Sequence, residues 1–406
     1  MKFILIIMNS HKNIYLSVFF VWVSHLLVDF MIGVWPIYKT LAGLDLAIAG
    51  LISAASAFAG EGLQLLFGPL CDRGYRKHLL IFGLILACAT SFMAYTQNYW
   101  ILFFLFLTTC IGSGAFHPAA ASIAGNLTQK HKALFLALFA SGGSIGLAFS
   151  QFIFTKSYAL LQGNTIFLAV PTLFLIICIF LFGVSGTEAT IKNNFSKRAN
   201  LKTIFSFFKD KQLRLLYIAQ VCNQSLLWAT VFLLPDILKC RGYESWICFG
   251  GGHFFLIIGA ALMVIPSGYI ADRYSPKKVV LTSLLVSSFI FYLFIYFHDM
   301  PSLFLLGLVF LLGSFLGMAN PLILAMGNKL RPESPGMISA FLLGLAWCVS
   351  EGLGQGGGGL LTKLFENDAA ANSLAVLGVA FFIGSYAIWS LEIKEENYSL
   401  SLEEAS

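Results

Sequence analysis

Apolar stretches of about twenty residues follow one another along nearly the whole chain, separated by short polar gaps. A bilayer core is roughly 30 Å thick and takes about 20 apolar residues per helical crossing. Inside hydrocarbon every backbone N–H and C=O must be satisfied within its own segment, so a chain of this pattern crosses as helices. No single soluble core could hide a chain that is 58% hydrophobic, 11% charged and carries 40 phenylalanines. The expected class is an all-α membrane protein.

Reading the runs between charged or Gly/Pro-containing breaks places spans at 14–38, 47–68, 78–96, 99–125, 132–157 and 165–184. After a polar stretch a second set follows at 213–238, 246–267, 277–297, 302–325, 336–363 and 372–391. The pattern predicts twelve transmembrane helices in two six-helix bundles, 14–184 and 213–391. A cytoplasmic linker, 185–212, joins them, and tails 1–13 and 392–406 flank them.

A net charge of +6 in a soluble protein would suggest nucleic acid, but here the placement of the cations points to topology. Lys192, Lys197, Arg198, Lys202, Lys209, Lys211 and Arg214 make the linker the densest basic segment. With both termini cytoplasmic, only Lys39, Lys156, Lys239, Arg241 and Lys363 fall outside. The linker reads either as a solvated topology signal or as a lipid or partner site. Eight scattered cysteines form no CxxC pair, so no metal or cofactor is expected. No HExxH, GxSxG or phosphate-binding glycine loop is present, and no cytoplasmic segment is long enough for a catalytic domain, which argues against an enzyme.

The loop after the second span reads Gly68-Pro-Leu-Cys-Asp72-Arg73-Gly-Tyr-Arg-Lys77, and the loop after the eighth reads Gly268-Tyr-Ile-Ala-Asp272-Arg273-Tyr-Ser-Pro-Lys277. Gly, Asp, Arg and Lys recur at one constant offset and at the same place in each set, which makes the bundles duplicated, pseudo-symmetric halves. A weaker echo links Gly112 and Pro118 with Gly313 and Pro321. A helix end offers free carbonyls, an Asp there can hold an Arg from a neighbouring helix, and a Gly permits close packing. Such a loop either latches helices in one conformation and releases them in another, or simply anchors the topology.

These loops resemble the signature G-x-x-x-D-R-x-G-R-K of the major facilitator superfamily, whose members fold as two six-helix bundles around a central cavity. The likeness covers nearly the whole chain, although the second glycine stands one place early, at Gly74, with Tyr75 in its usual position. Within the superfamily, His25-Leu-Leu-Val-Asp29 and Gly112-Ser-Gly-Ala-Phe-His117-Pro118 are similar to fosmidomycin-resistance proteins. That resemblance implies proton-driven drug export across a bacterial inner membrane. Drug antiporters carry a Gly-Pro pair late in the fifth span; here Ser141-Gly-Gly-Ser-Ile-Gly146 opens the region and Ser150-Gln151 takes the place of Gly-Pro.

Asp29, Glu61 and Glu351 lie deep in the apolar runs, with no Lys or Arg at comparable depth. An ionised carboxylate near the bilayer centre costs at least about 2.5–3.5 kcal/mol, so each must face a wet cavity, be hydrogen bonded or be protonated. His25 and Asp29 are spaced i,i+4 and share a helix face. Either they load and release a proton together, or His25 bonds a neighbouring helix while Asp29 anchors the span. Glu351 precedes the glycine run that holds Gln355, so the two either line a substrate cavity or belong to a gating helix. His117, before Pro118, joins Glu61 as a cavity candidate, and Asn320, before Pro321, holds the related place in the second half. Trp22, Trp35, Trp228 and Trp347 either stack on a flat or cationic solute or pack helices.

The combined reading is a monomeric, proton-coupled secondary transporter of a small solute working by alternating access, exporting a drug-like or toxic compound. The alternative is a proton symporter importing a nutrient, metabolite or metal chelate.

Overall fold

The apolar runs become helices in the computed structural model, which describes residues 14–127, 132–187 and 201–392; no strand occurs among them. The first half carries α1 (Ile14–Ile32), α2 (Leu46–Gly60), α3 (Arg76–Ala87), α4 (Tyr99–Asn126), α5 (Lys132–Leu160) and α6 (Val170–Phe182). The second carries α7 (Lys211–Cys240), α8 (Gly252–Tyr274), α9 (Pro276–Tyr296), α10 (Ser302–Leu330), α11 (Ala346–Glu351) and α12 (Val379–Trp389). Short polar side chains open several of them by taking up amides that have no intrahelical partner. Asn98 accepts from Trp100 and Ile101 ahead of α4, Asp210 from Gln212 and Leu213 ahead of α7, and Ser275 from Lys278 ahead of α9.

Among the described residues, eleven helical runs are long and apolar enough to cross a membrane. One of them, Leu46–Tyr95, has 50 residues, which at about 1.5 Å per residue is more than twice the hydrocarbon thickness. It holds both α2 and α3, joined across a kink where Gly74 takes φ 96°. Counted once or twice, it makes eleven or twelve spans. The early glycine of the loop motif thus has a conformational reason, because a left-handed φ favours a residue without Cβ.

The helices overrun the apolar stretches. The eighth span, expected to end at 267, continues to Tyr274, and the tenth, expected to end at 325, continues to Leu330. Once nucleated, a helix gains a hydrogen bond per added residue and runs on until backbone geometry stops it. The polar stretch expected as linker through 212 is helical again over Leu201–Ser206, and Phe207 just beyond is buried. Phe208 packs edge-on against both Tyr217 and Phe341. Tail 1–13, the linker cations Lys192, Lys197 and Arg198, and residues 393–406 lie outside the described residues.

Two compact units divide the described chain: 14–45 with 55–187, and 46–54 with 201–392. In the first, α1 packs on α5 and α3 on α4; in the second, α8 and α9 pack on α10, and α7 on α12 and α11. Small residues let backbones meet at these crossings. A Cβ on Gly114 would lie 2.6 Å from the Gly60 carbonyl oxygen, and one on Gly313 1.9 Å from that of Leu256. Gly60 and Gly114 have glycine counterparts at Gly259 and Gly313, at an offset one residue shorter than that of the loops, which pairs Gly313 with Gly114 and not with Gly112.

Candidate functional site

The closest crossing in the first unit builds its polar centre. A Cβ on Gly146 of α5 would sit 2.0 Å from the Leu26 carbonyl oxygen of α1, and one on Gly143 would sit 2.4 Å from His25 Nε2 and 2.5 Å from Asp29 Oδ2. The glycine run of the fifth span is therefore what leaves room for the α1 pair. His25 Nε2 stands 3.3 Å from Asp29 Oδ2. From α4 a second imidazole arrives, with His117 Nε2 3.3 Å from Asp29 Oδ1. The two imidazole rings meet edge-on, centroids 5.1 Å apart.

Each ring is oriented from behind. His25 Nδ1 lies 2.7 Å from the Phe139 carbonyl oxygen, and the ring stacks on Phe139 with centroids 4.0 Å apart. His117 Nδ1 lies 2.9 Å from the Ser113 carbonyl oxygen. A carbonyl only accepts, so both Nδ1 atoms carry hydrogen and both Nε2 atoms are turned to the carboxylate. Pro118 lacks the amide that would bond the Gly114 carbonyl, yet the imidazole binds the neighbouring Ser113 carbonyl instead of the freed one. The Ser113 hydroxyl also donates to Glu61 Oε1 at 3.0 Å, which ties buried Glu61 into the same network. The side chains of His25, Asp29 and His117 keep 9%, 22% and 29% exposure, so the cluster opens on one side, toward Asp29 and His117.

The sequence reading paired His25 with Asp29 and assigned His117 and Glu61 to a separate cavity; the first unit joins all four. It missed Ser113, Phe139 and Gly143, which act through a hydroxyl, a main-chain carbonyl and an absent side chain, none of which stands out in an apolar run. Ser150, in the place of the antiporter Gly-Pro, fits because Gly33 opposes it: a Cβ there would lie 2.2 Å from Ser150 Oγ.

In the second unit, Glu351 is buried and accepts from Trp347 Nε1 at 2.7 Å, and Trp347 meets Trp228 edge-on at 5.6 Å. Gln355 accepts from Ser53, and Asn320 from Gln220. Over Gly352–Gly357 the glycine run forms a widened turn, with no break in the helix. Sequence reasoning missed the amides of α7. Gln220, Asn223 and Gln224 are buried, and among the described residues Gln220 Oε1, Asn223 Oδ1, Gln224 Oε1 and Trp228 Nε1 have no hydrogen-bond partner. Of the other tryptophans, Trp35 is buried and stacked on Phe106, a packing role, and Trp22 donates to Ser141.

The repeated loops depart from expectation in one respect. A Cβ on Gly68 or Gly268 would meet nothing within 4 Å, so neither glycine serves close packing. Asp72, Arg73, Asp272 and Arg273 are exposed. The lysines instead make parallel contacts in the two units: Lys77 Nζ lies over the Phe180 ring of α6, and Lys277 Nζ donates to the Leu391 carbonyl just after α12. Two cations that the sequence places just beyond the spans are nonetheless buried in protein. Lys39 is fully buried, with Nζ 3.0 Å from Thr40 Oγ1, and Arg241 donates to the Phe294 and Ile295 carbonyls. Both sit near span ends, where long stems bury and heads find oxygens.

The profile of the Major Facilitator Superfamily matches residues 15–255 and 245–405. The chain belongs to this superfamily. It is similar to the 4-hydroxybenzoate transporter PcaK of Pseudomonas aeruginosa, 24% identical over 276 residues, or 59% of this chain and 61% of that transporter. The match to that relative therefore spans about three-fifths of its length. An MFS-type transporter of Bacillus subtilis, YuxJ, is 25% identical over 80% of this chain and 83% of its own. Among solved structures, the nucleoside transporter NupG superposes with a TM-score of 0.75 at 15% identity, covering 93% of this chain and 99% of NupG. A bacterial homologue of the human lysosomal transporter Spinster gives 0.74 at 13% identity, covering 94% and 97%. At these identities the two structures establish the superfamily fold. The protein is a membrane transporter and not an enzyme.

Proposed function

We propose that this transporter couples the movement of a small solute to protons, with Asp29, flanked by His25 and His117, as the proton-carrying group. It works by alternating access between two pseudo-symmetric six-helix bundles and exports a drug-like or toxic compound across a bacterial inner membrane, as a monomer with both termini cytoplasmic. One observation carries the reading: a carboxylate in an apolar span, with the Nε2 of a separate imidazole aimed at each of its oxygens at 3.3 Å. A proton shared there is held by three groups that each exist in two protonation states, and loading it changes the charge of the span's centre. A proton moving down about 100 mV gains roughly 2.3 kcal/mol, enough to bias a two-state equilibrium nearly fifty-fold. In this reading Glu61, Asn320, Glu351 and Gln355 belong to the solute-handling surface. The loops from Gly68 to Lys77 and from Gly268 to Lys277 serve as latches, a role supported by the parallel contacts of the two lysines.

Import by proton symport is the second reading, favoured by Ser150-Gln151 standing where drug antiporters carry Gly-Pro. The unpartnered amide oxygens on α7 suit a solute that brings hydroxyl or amine donors. Uptake and efflux of a compound panel in vesicles under an imposed pH gradient test both. Asp29→Asn should insert normally and lose gradient-driven flux; gradient-driven flux retained in that variant removes Asp29 from the role. The direction of flux in the parent decides between export and import.

A further inference from the structure

We infer that His25, Asp29 and His117 form a binding site for a divalent first-row transition cation of the zinc, cobalt or nickel kind. The inference deepens the reading of this cluster as the transporter's ion-handling centre and rests on that reading for its relevance to transport, although the binding itself is tested without transport.

Three observations converge. The ligand atoms of the three side chains lie within 4.8 Å of one another, and each Nε2–carboxylate separation is 3.3 Å. With Asp29 bound through one oxygen, one of these separations matches the edge of a tetrahedron whose metal–ligand bonds are about 2.0–2.1 Å, the zinc–imidazole and zinc–carboxylate range, while the other ends on the second oxygen. Second, both imidazoles are prepared as metal ligands are. Each Nδ1 hydrogen is directed to a main-chain carbonyl, Phe139 for His25 and Ser113 for His117, which fixes the tautomer and leaves the Nε2 lone pair facing inward. Two inward lone pairs opposite a carboxylate are three acceptors with no donor among them, an arrangement stabilised by a cation or a hydrogen-bond donor placed between them. A proton is one such cation and a metal ion is another. Third, two nitrogens and one carboxylate select borderline transition ions over magnesium or calcium, which take all-oxygen shells. The exposure of Asp29 and His117 leaves the remaining coordination positions to water or a solute.

Sequence spacing did not disclose this set, because His117 comes from a different span than His25 and Asp29. Glu61 lies behind the cluster, bonded through Ser113, and is not itself a ligand.

The test uses the full chain, purified in detergent on a tag without histidine, and titrated with Co2+ alone while the visible absorption of the ion is followed. One saturable ion per chain is expected, displaced by Zn2+ and unaffected by Mg2+ or Ca2+. His117→Ala should weaken binding at least about tenfold. Gly143→Ala, which alters no ligand but places a Cβ 2.4 Å from His25 Nε2 and 2.5 Å from Asp29 Oδ2, should do the same. Monodisperse elution and a retained thermal transition establish that each variant is folded. Absence of saturable Co2+ binding in the parent, or unchanged binding in folded His117→Ala, overturns the inference. The two readings fail separately: a parent that drives flux with a pH gradient but binds no cobalt loses only the metal site, and a parent that binds cobalt without proton-driven flux loses only the coupling.

Discussion

Replacing Gly146 by alanine puts the packing argument to a quantitative test. The added Cβ would lie 2.0 Å from the Leu26 carbonyl oxygen, whereas carbon–oxygen contacts close at about 3.3 Å. The obstacle is main chain, so no rotamer change relieves it, and α1 and α5 must part locally by roughly 1.3 Å, the difference between those distances. Overpacking of this kind costs about 1–3 kcal/mol. Alanine returns about 0.8–1.0 kcal/mol of helix propensity relative to glycine, so the net destabilisation should be about 1 kcal/mol. The larger effect falls on function. Leu26 lies between His25 and Asp29, and moving this turn by about 1 Å takes the 3.3 Å contact of Asp29 with His117 and the 2.7 Å contact of His25 with the Phe139 carbonyl out of hydrogen-bonding range, a displacement that in positioned sites costs on the order of a hundredfold in rate. Gly307→Ala is the matched control, because a Cβ there meets nothing within 4 Å. It should keep full flux and melt at or slightly above the parent. Thermal melting in detergent and pH-driven flux per inserted protein in vesicles measure the two effects. A Gly146→Ala protein that melts and transports like Gly307→Ala would refute the claim that this crossing sets the geometry of the cluster.

Two further substitutions probe the frame around the site. Ser275 caps α9 while held at φ 133°, so Ser275→Gly should raise the melting temperature, with about 1–3 kcal/mol of backbone strain relieved against a few tenths lost from the cap. Asp210 opens α7 and pairs with Arg331 at 2.9 Å. Burial works against its ionisation, but the Leu213 amide, the Arg331 guanidinium and the Gln212 amide outweigh it and hold the carboxyl below the ordinary value of 3.8. Asp210→Ala should therefore cost about 1 kcal/mol at neutral pH. Because the folded-state value is depressed, that contribution is fully present above the ordinary value of 3.8 and fades as pH falls below it, so the melting curves of parent and variant should converge in acid.

How legible the molecule was depended on which physical signal each feature leaves in the chain. Membrane spans leave long apolar runs, and all of the expected spans have helical counterparts among the described residues. Their ends were less readable, because α8 and α10 continue through Arg273 and Lys329 until backbone geometry stops them at Ser275 and Arg331. Asp29, Glu61 and Glu351 stood out because charge in hydrocarbon is expensive. Partners that act through a carbonyl, such as Phe139, or by lacking a side chain, such as Gly143, leave no such mark. The amides of α7 were hidden for a related reason, since Gln220, Asn223 and Gln224 carry no charge and a few polar residues barely lower the apolar content of a long helix. Lys39 misled in the opposite direction: a cation just past an apolar run reads as a loop residue, yet the short Trp35–Leu41 helix folds it wholly inside.

The duplicated halves keep the same crossings while changing what those crossings hold. In the first unit the α1–α5 contact is closed by Gly146 against Leu26; in the second, the equivalent contact of α7 with the α11 region is closed by Gly354, where a Cβ would lie 2.4 Å from the Ser225 carbonyl oxygen. Around the first crossing stand two imidazoles and a carboxylate. Around the second stand Gln220, Asn223, Gln224, Trp228, Trp347 and Glu351, mostly neutral donors and acceptors beside indole rings. Groups that gain or lose a proton bind small cations tightly but discriminate poorly among organic shapes, whereas fixed amides and flat rings do the reverse. In the proposed reading, a duplicated scaffold that concentrates titratable groups in one half and uncharged polar groups in the other could vary its solute without disturbing its proton site. That separation is an advantage two identical halves would lack.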